Sequence, residues 1–572
     1  MAEAVQRLHD RPWLRDPRRA LALVVVVALT VRLAGLGVRV AHWDEGRVGY
    51  WILRTAASGH WEYRPIIHGP FVQHVTRWVI AVAGASDFVM RLPVAILGSL
   101  FPLSALLFRT RLQDTETIAL GVVLALNPLL LYYSRFMRSD LPLAVFAFVT
   151  FGALVAAIDT DRRRYLHLAA IAFALALTTK ENAILYPVSW LGAIVMVGVG
   201  AAVAARRHGR DPIDPVRSGL AAAMGRVRSW GRTLLLIPLE MLPVLVFFYA
   251  PRSPDPDAGL WSALADPSLL PRVVWDATVG SAGAFADLWL APDMHAHPYA
   301  PYLAHFGAVL ALAAAATVVF AVVAIRWHPR PLVAFCGWWA LSAVVGYPYV
   351  ADIKAPWLAV HVVVALAIPA AIGLVAVFDR LPTVGLDGHT VATVGLAALL
   401  VSSGAFVVGS SALITYQQPP HGLNVVAQGG QPGGDLRPIV EDLQTAAATN
   451  EGADVLYYGD IAVANESHND QPPAASNWYD RLPLPWYTEA TGATVTSAAD
   501  IDSLPADPPP VVIADSTQRD VLHARLPGYS VREEAVLLRP GPVTIGAFGF
   551  EYELGGQTYV FFVDRAALAT GG

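Results

Sequence analysis

Lysine and cysteine are almost absent from this chain of 572 residues. Lys180 and Lys354 are the only lysines, against 38 arginines, and Cys336 is the only cysteine. A single cysteine excludes disulfides within the chain and cysteine-based zinc sites. Both lysines follow or precede acidic residues, in Thr179-Lys180-Glu181 and Asp352-Ile353-Lys354. A compact ammonium kept at two such places indicates a role that the planar guanidinium of arginine would not fill.

Charged residues are also scarce, and long apolar runs take their place. The chain is 55% hydrophobic and 15% charged, with a mean hydropathy of +0.48. Because about 20 apolar residues cross a bilayer, this pattern predicts an all-α, multi-pass membrane protein. We expect about eleven spans, at residues 19–40, 88–108, 117–133, 141–158, 165–179, 183–205, 233–250, 302–325, 331–349, 357–378 and 390–415. The first follows five arginines without a small-residue cleavage site, so we expect it to be retained.

The positions of the arginines predict the orientation. With a cytoplasmic N-terminus, every short inside loop is basic, and seven arginines fall between Arg206 and Arg232. The external segments are then the loops 42–87 and 251–301, the ends of several spans with both lysines, and the C-terminal region. We therefore expect a cell-membrane protein in contact with lipid, with a membrane domain at 1–418 and an external domain at 419–572.

The C-terminal region is predicted to be a small α/β domain. It has a helix pattern at Leu436–Thr449, strand patterns at Asp454–Tyr458 and Pro510–Ala514, and a final ribbon from Val543 to Phe562 that turns at Gly555-Gly556. From residue 420 onward there are 20 acidic residues, 7 arginines and no lysine, a net charge of −13. An acidic, lysine-free exterior suits a medium of high salt, although high genomic GC content would also explain missing lysine.

Adjacent carboxylates follow the first span in His42-Trp43-Asp44-Glu45-Gly46-Arg47. Aromatic residues nearby are typical of a segment at the membrane interface. There one carboxylate can take a proton from an acceptor hydroxyl, while its neighbour orients it or binds a cation. An isolated acidic pair is more often an ordinary solvated loop, so the rest of the chain decides between the two interpretations.

Further motifs follow in order: Tyr63-Arg64-Pro65-Ile66-Ile67-His68-Gly69-Pro70, Phe88-Val89-Met90-Arg91-Leu92-Pro93, Arg138-Ser139-Asp140-Leu141-Pro142 and Thr179-Lys180-Glu181. In this order the chain resembles the GT-C membrane glycosyltransferases of the protein O-mannosyltransferase and aminoarabinose-transferase type, over about residues 19–380. More narrowly, it resembles an archaeal flippase-activity-associated family of the N-glycosylation pathway.

The resemblance implies an enzyme that moves a sugar from a polyprenyl (dolichyl) phosphate carrier to a hydroxyl acceptor, a glycan or glycoprotein, outside the membrane. Asp44 would be the catalytic base, with Glu45 beside it, and Asp140 would bind acceptor or metal. Relatives often have Lys-Pro-Pro where this chain has His68-Gly69-Pro70, so His68, Arg64 or Arg138 would replace that lysine. Lys180 matches a basic residue at the outer end of a later span.

Carrier phosphate also requires cations at headgroup level, and Arg64, Arg138, Lys180 and Lys354 are predicted there. Asp352 and Trp357 flank Lys354 and would complete a substrate-binding segment, or else belong to an interfacial belt of snorkelling lysine and aromatic residues. Glu181 binds substrate or pairs locally with Lys180.

No certain cofactor is indicated. A divalent cation is possible, and Asp293-Met294-His295-Ala296-His297 is one weak candidate for it. The chain has no Gly-rich nucleotide-binding loop in a proper context, which argues against a nucleotide-sugar donor, and we expect no nucleic acid partner.

Two alternatives stay open. A non-catalytic accessory to the flipping of lipid-linked sugars is consistent with the family label, although charges crowd at the span ends rather than along a path through the membrane. A glycan-binding scaffold that has lost activity is supported by the departure at His68-Gly69-Pro70.

Overall fold

A computed structural model of the protein describes residues 16–66, 68–253, 259–291, 297–351, 353–386, 390–420, 422–427, 429–470, 472–546 and 549–570. The chain forms two units. Unit 1 consists of Met1–Ala34, Glu62–Val72 and Val94–Tyr416, and unit 2 of Gly35–Trp61, Gln73–Pro93 and Gln417–Gly572. Unit 2 therefore combines two N-terminal segments with the C-terminal part of the chain.

Most of the described residues up to 420 lie in helices. The first eleven are α1 Pro17–Leu33, α2 Trp43–Ser58, α3 Pro70–Ala83, α4 Asp87–Leu100, α5 Asp114–Leu126, α6 Pro128–Tyr133, α7 Asp140–Thr160, α8 Arg164–Thr179, α9 Leu185–Arg207, α10 Asp214–Ser229 and α11 Gly231–Tyr249. The next seven are α12 Leu260–Ala265, α13 Leu270–Trp275, α14 Ser281–Trp289, α15 Tyr299–Trp327, α16 Pro331–Val350, α17 Ala359–Leu386 and α18 Thr390–Ser411.

Among the described residues, eight helical segments are long and apolar enough to cross a membrane. They are Asp87–Phe108, Asp140–Thr160, Glu181–Arg207, Gly231–Tyr249, Tyr299–Trp327, Pro331–Val350, Pro356–Leu381 and Thr390–Tyr416. The predicted all-α, multi-pass membrane architecture is confirmed, and a total of about eleven spans stays a prediction.

The remaining three predicted spans are shorter helices. α1 has 17 residues and α8 has 16. The predicted span 117–133 is divided between α5 and α6, because Asn127 ends one helix and caps the next. Its side-chain oxygen accepts hydrogen bonds from the backbone N–H groups of Leu129 and Leu130, at 3.0 and 3.1 Å.

Helices of unit 1 pack closely where small residues face a neighbour. A Cβ atom on Gly373 of α17 would overlap the carbonyl group of Phe320 in α15. Phe320, Ala321, Ala370 and Val377 form the buried core at this crossing. Glycine is thus required by the close approach of the two backbones.

The C-terminal part of unit 2 contains a five-stranded mixed sheet. Its strands are β1 Val455–Tyr458, β2 Val495–Ala498, β3 Val511–Asp515, β4 Ser530–Gly546 and β5 Gly549–Val563, in the order β2-β1-β3-β5-β4. β1 is parallel to β2 and β3, and β5 is antiparallel to β3 and β4. The helices are α19 Arg437–Thr449, α20 Leu484–Thr491, α21 Arg519–Arg525 and α22 Arg565–Thr570. The predicted α/β character of this region, with its first helix and the strands at 455 and 511, is confirmed.

The predicted turn at Gly555-Gly556 is wrong. These glycines lie inside β5, opposite Arg539 and Leu538, whereas β4 ends at Gly546 and β5 begins at Gly549. Nearer the centre of the sheet, β5 pairs with β3 through buried apolar residues such as Phe562 and Val512.

Candidate functional site

Asp140 lies at the centre of a buried polar group in unit 1. It is the first residue of α7, and its Oδ1 atom accepts a hydrogen bond of 2.7 Å from the ammonium of Lys180, which directly follows α8. Both side chains are almost completely buried. A carboxylate at a helix N-terminus and a cation at a helix C-terminus are each favoured by the helix dipole. The two residues, both predicted for the site, form one buried ion pair.

Arg138 and Trp357 complete this group. The guanidinium carbon of Arg138 lies 3.6 Å from the centre of the Trp357 ring, and its Nε atom is 3.6 Å from Oδ2 of Asp140. Stacking on tryptophan holds a guanidinium flat and in place. Four predicted site residues, Arg138, Asp140, Lys180 and Trp357, are thus brought together.

His361 and Tyr186 belong to the same group, and neither was predicted. The Tyr186 hydroxyl is 2.7 Å from Nδ1 of His361, and Nε2 of His361 is 3.7 Å from Oδ1 of Asp140. If Tyr186 donates, its buried O–H is satisfied and an N–H faces the carboxylate. The opposite tautomer would leave that O–H without an acceptor among the described residues and would direct a lone pair at the carboxylate. We therefore assign the proton of a neutral His361 to Nε2.

Glu181 does not pair with Lys180 in a hydrogen bond. Its Oε1 atom accepts a hydrogen bond of 2.8 Å from the hydroxyl of Tyr63. Burial, together with the nearby Glu181 carboxylate, raises the pKa of Tyr63, so the hydroxyl stays protonated and donates. Glu181 thus fixes the segment that carries Arg64 and His68 rather than the lysine beside it.

Steric crowding explains why glycine stands at the centre of His68-Gly69-Pro70. The backbone N–H of Gly69 donates to the carbonyl of Thr179 at 3.1 Å, and a Cβ atom at position 69 would overlap the carbonyl of Thr178. Glycine therefore lets this segment lie directly against the end of α8. His68 is buried and Arg64 is half-buried.

The second lysine is not part of this group. Lys354 is half-buried and makes no ion pair with any residue that the structure describes. Asp352 lies outside the described residues, as do residues 293–296 of the weak metal motif. Within the described ranges, no three His, Cys, Asp or Glu side chains are grouped as metal ligands.

The two adjacent acids of the first motif, in unit 2, have different surroundings. Glu45 is fully buried, and its oxygens accept hydrogen bonds of 2.8 Å from both Nε and Nη2 of Arg91. Arg39 adds a bond of 3.1 Å, and the backbone N–H of His42 donates to the same carboxylate at 3.0 Å. Glu45 is therefore held between two arginines and caps the N-terminus of α2.

Asp44 keeps part of its carboxylate accessible. Its side chain is 13% exposed and accepts a bond of 3.3 Å from Nη2 of Arg47. His42 accepts the backbone N–H of Asp44 on Nδ1 at 2.9 Å, while its Nε2 lies 3.2 Å from the carbonyl of Gly429. A neutral His42 with the proton on Nε2 satisfies both contacts. Of the two acids, Asp44 is the one whose setting suits proton transfer.

Residues of the C-terminal part hold the helix that carries Asp44. The backbone N–H of Trp43 donates to the carbonyl of Gly430, and its indole N–H to that of Tyr479, both at 2.9 Å. Added Cβ atoms on Gly46 and Gly49 would lie 2.8 Å from Pro483 and 2.6 Å from the ring of Trp486. Because Gly46 and Gly49 are three residues apart and lack side chains, α2 can pack closely against Pro483 and Trp486.

Two family models match the chain. Residues 436–564 match the Agl23 flippase-associated protein C-terminal domain, and residues 67–208 match dolichyl-phosphate-mannose-protein mannosyltransferase. These matches confirm the predicted resemblance to the GT-C membrane glycosyltransferases. More narrowly, the match at 436–564 confirms the resemblance to the flippase-associated family. No curated protein matches the chain in sequence.

Three solved structures illustrate what the chain resembles. ArnT from Cupriavidus metallidurans in the apo state is 17% identical, with a TM-score of 0.47. The match covers 96% of this chain and 98% of the ArnT chain. The archaeal oligosaccharyltransferase AglB from Archaeoglobus fulgidus, with an inhibitory peptide and a dolichol-phosphate, is 12% identical, with coverages of 94% and 74% and a TM-score of 0.46. The Pmt1-Pmt2 protein O-mannosyltransferase complex of S. cerevisiae is 17% identical, with coverages of 49% and 36% and a TM-score of 0.31.

Proposed function

We propose that the protein transfers a sugar from a polyprenyl phosphate carrier to a hydroxyl acceptor at the outer face of the membrane. The observation that carries this proposal is the buried group of Arg138, Asp140 and Lys180. It lies inside the segment that matches the dolichyl-phosphate-mannose-protein mannosyltransferase model.

The charge of this group suits a phosphate. Two permanent cations, Arg138 and Lys180, lie against the carboxylate of Asp140, at 3.6 and 2.7 Å. Lys180 uses one of its three N–H donors on Asp140, and the others are available to a phosphate oxygen. Cations placed where charge develops stabilise the departing phosphate, because a protein interior weakens electrostatic interactions far less than water does.

Asp44 is proposed as the general base. The acceptor hydroxyl gives its proton to an oxygen of Asp44 while its own oxygen forms the new bond to the anomeric carbon of the sugar. The bond between that carbon and the phosphate oxygen breaks, and the carrier phosphate leaves with the electron pair. Attack on the face opposite the leaving group inverts the configuration.

Asp44, Glu45 and the acidic C-terminal part are proposed to lie outside the cell, with the N-terminus inside. Support comes from the basic short loops on one side of the predicted topology and the net charge of −13 after residue 419. Arg64, His68, Lys354 and Trp357 would then border the carrier headgroup.

The test compares the glycans and lipid-linked sugars of a deletion strain complemented with wild-type protein, Asp44→Asn or Asp460→Asn. Asp460 is an exposed acid of the same unit and serves as the control. We expect Asp44→Asn to match the deletion, with one sugar missing and its carrier-linked donor accumulating, while Asp460→Asn behaves as wild type.

The match of residues 436–564 to a flippase-associated domain favours a second candidate, a non-catalytic accessory to the flipping of lipid-linked sugars. In that case deletion would change the glycans, whereas Asp44→Asn at normal protein level would not. That result would also remove Asp44 from any catalytic role.

A further inference from the structure

Unit 2 contains a cavity that the proposed transfer chemistry does not use. It has a volume of about 480 Å³ and lies between residues 38–40 and two stretches of the C-terminal part, 418–419 and 431–438. Volumes of this size are typical of sites for small organic molecules. Asp44 is not among the residues that line it.

The cavity wall is largely apolar, with side-chain amides and charged groups between the apolar residues. Val38, Pro419, Pro432 and Leu436 provide carbon surface, while Gln418, Gln431 and Asp435 provide polar atoms. A wall of this kind fits a molecule that presents C–H groups on one side and hydroxyl groups on the other.

Several polar groups of the wall have hydrogen-bonding capacity to spare. Arg437 donates through Nη2 to the carbonyls of Gly37 and Val38 and to Asp87, at 2.8–3.0 Å. Its Nε and Nη1 atoms make no hydrogen bond with a described residue, and neither does the side-chain amide of Gln418. Donors and acceptors are therefore both available to a ligand.

The charges at the cavity are balanced. Arg437 is paired with Asp87 at 3.0 Å, and Arg39 and Arg91 share Glu45 at 3.1 and 2.8 Å. Asp435 lies at the rim and Glu534 accepts its backbone N–H at 3.1 Å, so these arginines have no excess over the carboxylates around them. Because no positive charge is left over, the cavity offers little extra attraction to a phosphate or a carboxylate, and hydroxyl groups suit its donors and acceptors better.

We propose that this cavity binds a neutral sugar residue of the acceptor glycan. The assignment of the ligand to the acceptor rests on the proposed transferase function, whereas the binding of a neutral saccharide does not. If the cavity binds such a sugar, the acceptor that the protein extends is a glycan and not only a hydroxyl group of a protein.

The experiment is saturation-transfer NMR on the full chain in lipid nanodiscs. The probes are maltose and methyl α-mannoside, with glucuronate and inorganic phosphate as anionic probes. Val38→Trp fills the cavity and Gln418→Ala removes a free amide. Val521→Trp is the matched control, because Val521 is 48% exposed in unit 2 and does not line the cavity.

We expect a neutral saccharide to bind wild type and Val521→Trp equally. Val38→Trp should weaken binding by about tenfold or more, and Gln418→Ala by several fold, at unchanged melting temperature. Absence of neutral-sugar binding to wild type, tighter binding of the anions, or unchanged binding to Val38→Trp would each overturn the proposal.

Asp44→Asn separates this inference from the proposed function. It should bind the saccharide as wild type does, because Asp44 is outside the cavity. If Asp44→Asn also leaves cellular glycans unchanged, the transferase proposal fails while the sugar site stands. If it abolishes transfer and wild type binds no neutral sugar, the sugar site fails alone.

Discussion

At the scale of single residues, the two neighbouring acids Asp44 and Glu45 have different surroundings. The sequence predicts that an acidic pair follows the first span, but not which acid is buried. That distinction depends on Arg91, which follows Glu45 by 46 residues and donates hydrogen bonds to both of its oxygens. Contacts of this separation leave no local pattern in a sequence.

Glu45→Gln should destabilise the protein strongly, whereas Asp44→Asn should not. Removing the buried carboxylate leaves Arg91 fully buried without its counter-charge, at a cost of about 3–5 kcal/mol. The carboxylate of Asp44 is 13% exposed and pairs with Arg47 at 3.3 Å, so its amide variant should cost no more than about 1 kcal/mol. Thermal unfolding of the purified variants in detergent measures both. Equal melting temperatures for Glu45→Gln and Asp44→Asn would contradict the stabilising ion pairs of Glu45 with Arg39 and Arg91.

Lys180 should contribute far more to stability than Lys354. Lys180→Met leaves Asp140 buried without its hydrogen-bonded cation, at a cost of about 3–5 kcal/mol. The matched control is Lys354→Met, because this half-buried lysine makes no ion pair with the described residues and its loss should cost under about 0.5 kcal/mol.

The double variant Asp140→Asn, Lys180→Met tests the pairing directly. Removing the charge of Asp140 relieves the cost of losing its cation, so the loss of unfolding free energy should be smaller than the sum for the single variants, by about 0.5–3 kcal/mol. Additive losses in the same thermal measurement would mean that the two side chains act independently.

The polar group around Asp140 also shows where prediction from sequence stopped. Arg138, Asp140, Lys180 and Trp357 were singled out because their motifs stand at the ends of spans. His361 and Tyr186 were missed, because a lone histidine and a lone tyrosine inside apolar stretches carry no motif. Their contact at 2.7 Å joins residues 175 positions apart in the sequence.

At the scale of secondary-structure elements, α2 depends on close packing against α20. Gly46 and Gly49 lie where any side chain would meet Pro483 and Trp486. Long apolar runs predicted a multi-pass helical membrane protein, because the length of such a run can be counted along one segment of the sequence. It could not predict this contact, which joins residues more than 400 positions apart.

Gly49→Ala should detach or displace α2, because the added methyl group would lie 2.6 Å from the Trp486 ring. Overpacking of this kind costs about 1–3 kcal/mol. Trp486→Leu in the same chain should restore part of that loss by making room. Gly219→Ala is the control, since a Cβ atom added at this position would have no neighbouring atom within 4 Å among the described residues.

Protease sensitivity of residues 42–58 and the cellular glycan profile provide the measurements for this set. We expect cleavage and loss of glycans in Gly49→Ala, recovery in the double variant, and no change in Gly219→Ala. If Trp486→Leu gives no recovery, the effect of Gly49→Ala does not arise from the contact with this ring.

At the scale of the whole molecule, the distribution of charge predicts the orientation in the membrane. The short loops predicted to face the cytoplasm are basic, and the region after residue 419 has a net charge of −13. The class of protein and the α/β C-terminal part followed from hydropathy and strand patterns. The division into two units did not, because unit 2 takes residues 35–61 and 73–93 from the N-terminal half.

Cysteine labelling in intact cells tests this orientation. The natural chain is a suitable background, because its single cysteine, Cys336, is fully buried and should not react. His468→Cys places an exposed thiol in the acidic C-terminal part, and Arg217→Cys places one in the basic loop between α9 and α11. A membrane-impermeant maleimide should label the first variant in intact cells and the second only after lysis, because basic loops stay in the cytoplasm. Labelling of Arg217→Cys in intact cells would show that the protein has the opposite orientation in the membrane. It would also place Asp44 on the opposite side from the proposed acceptor, so the same measurement limits the proposed chemistry.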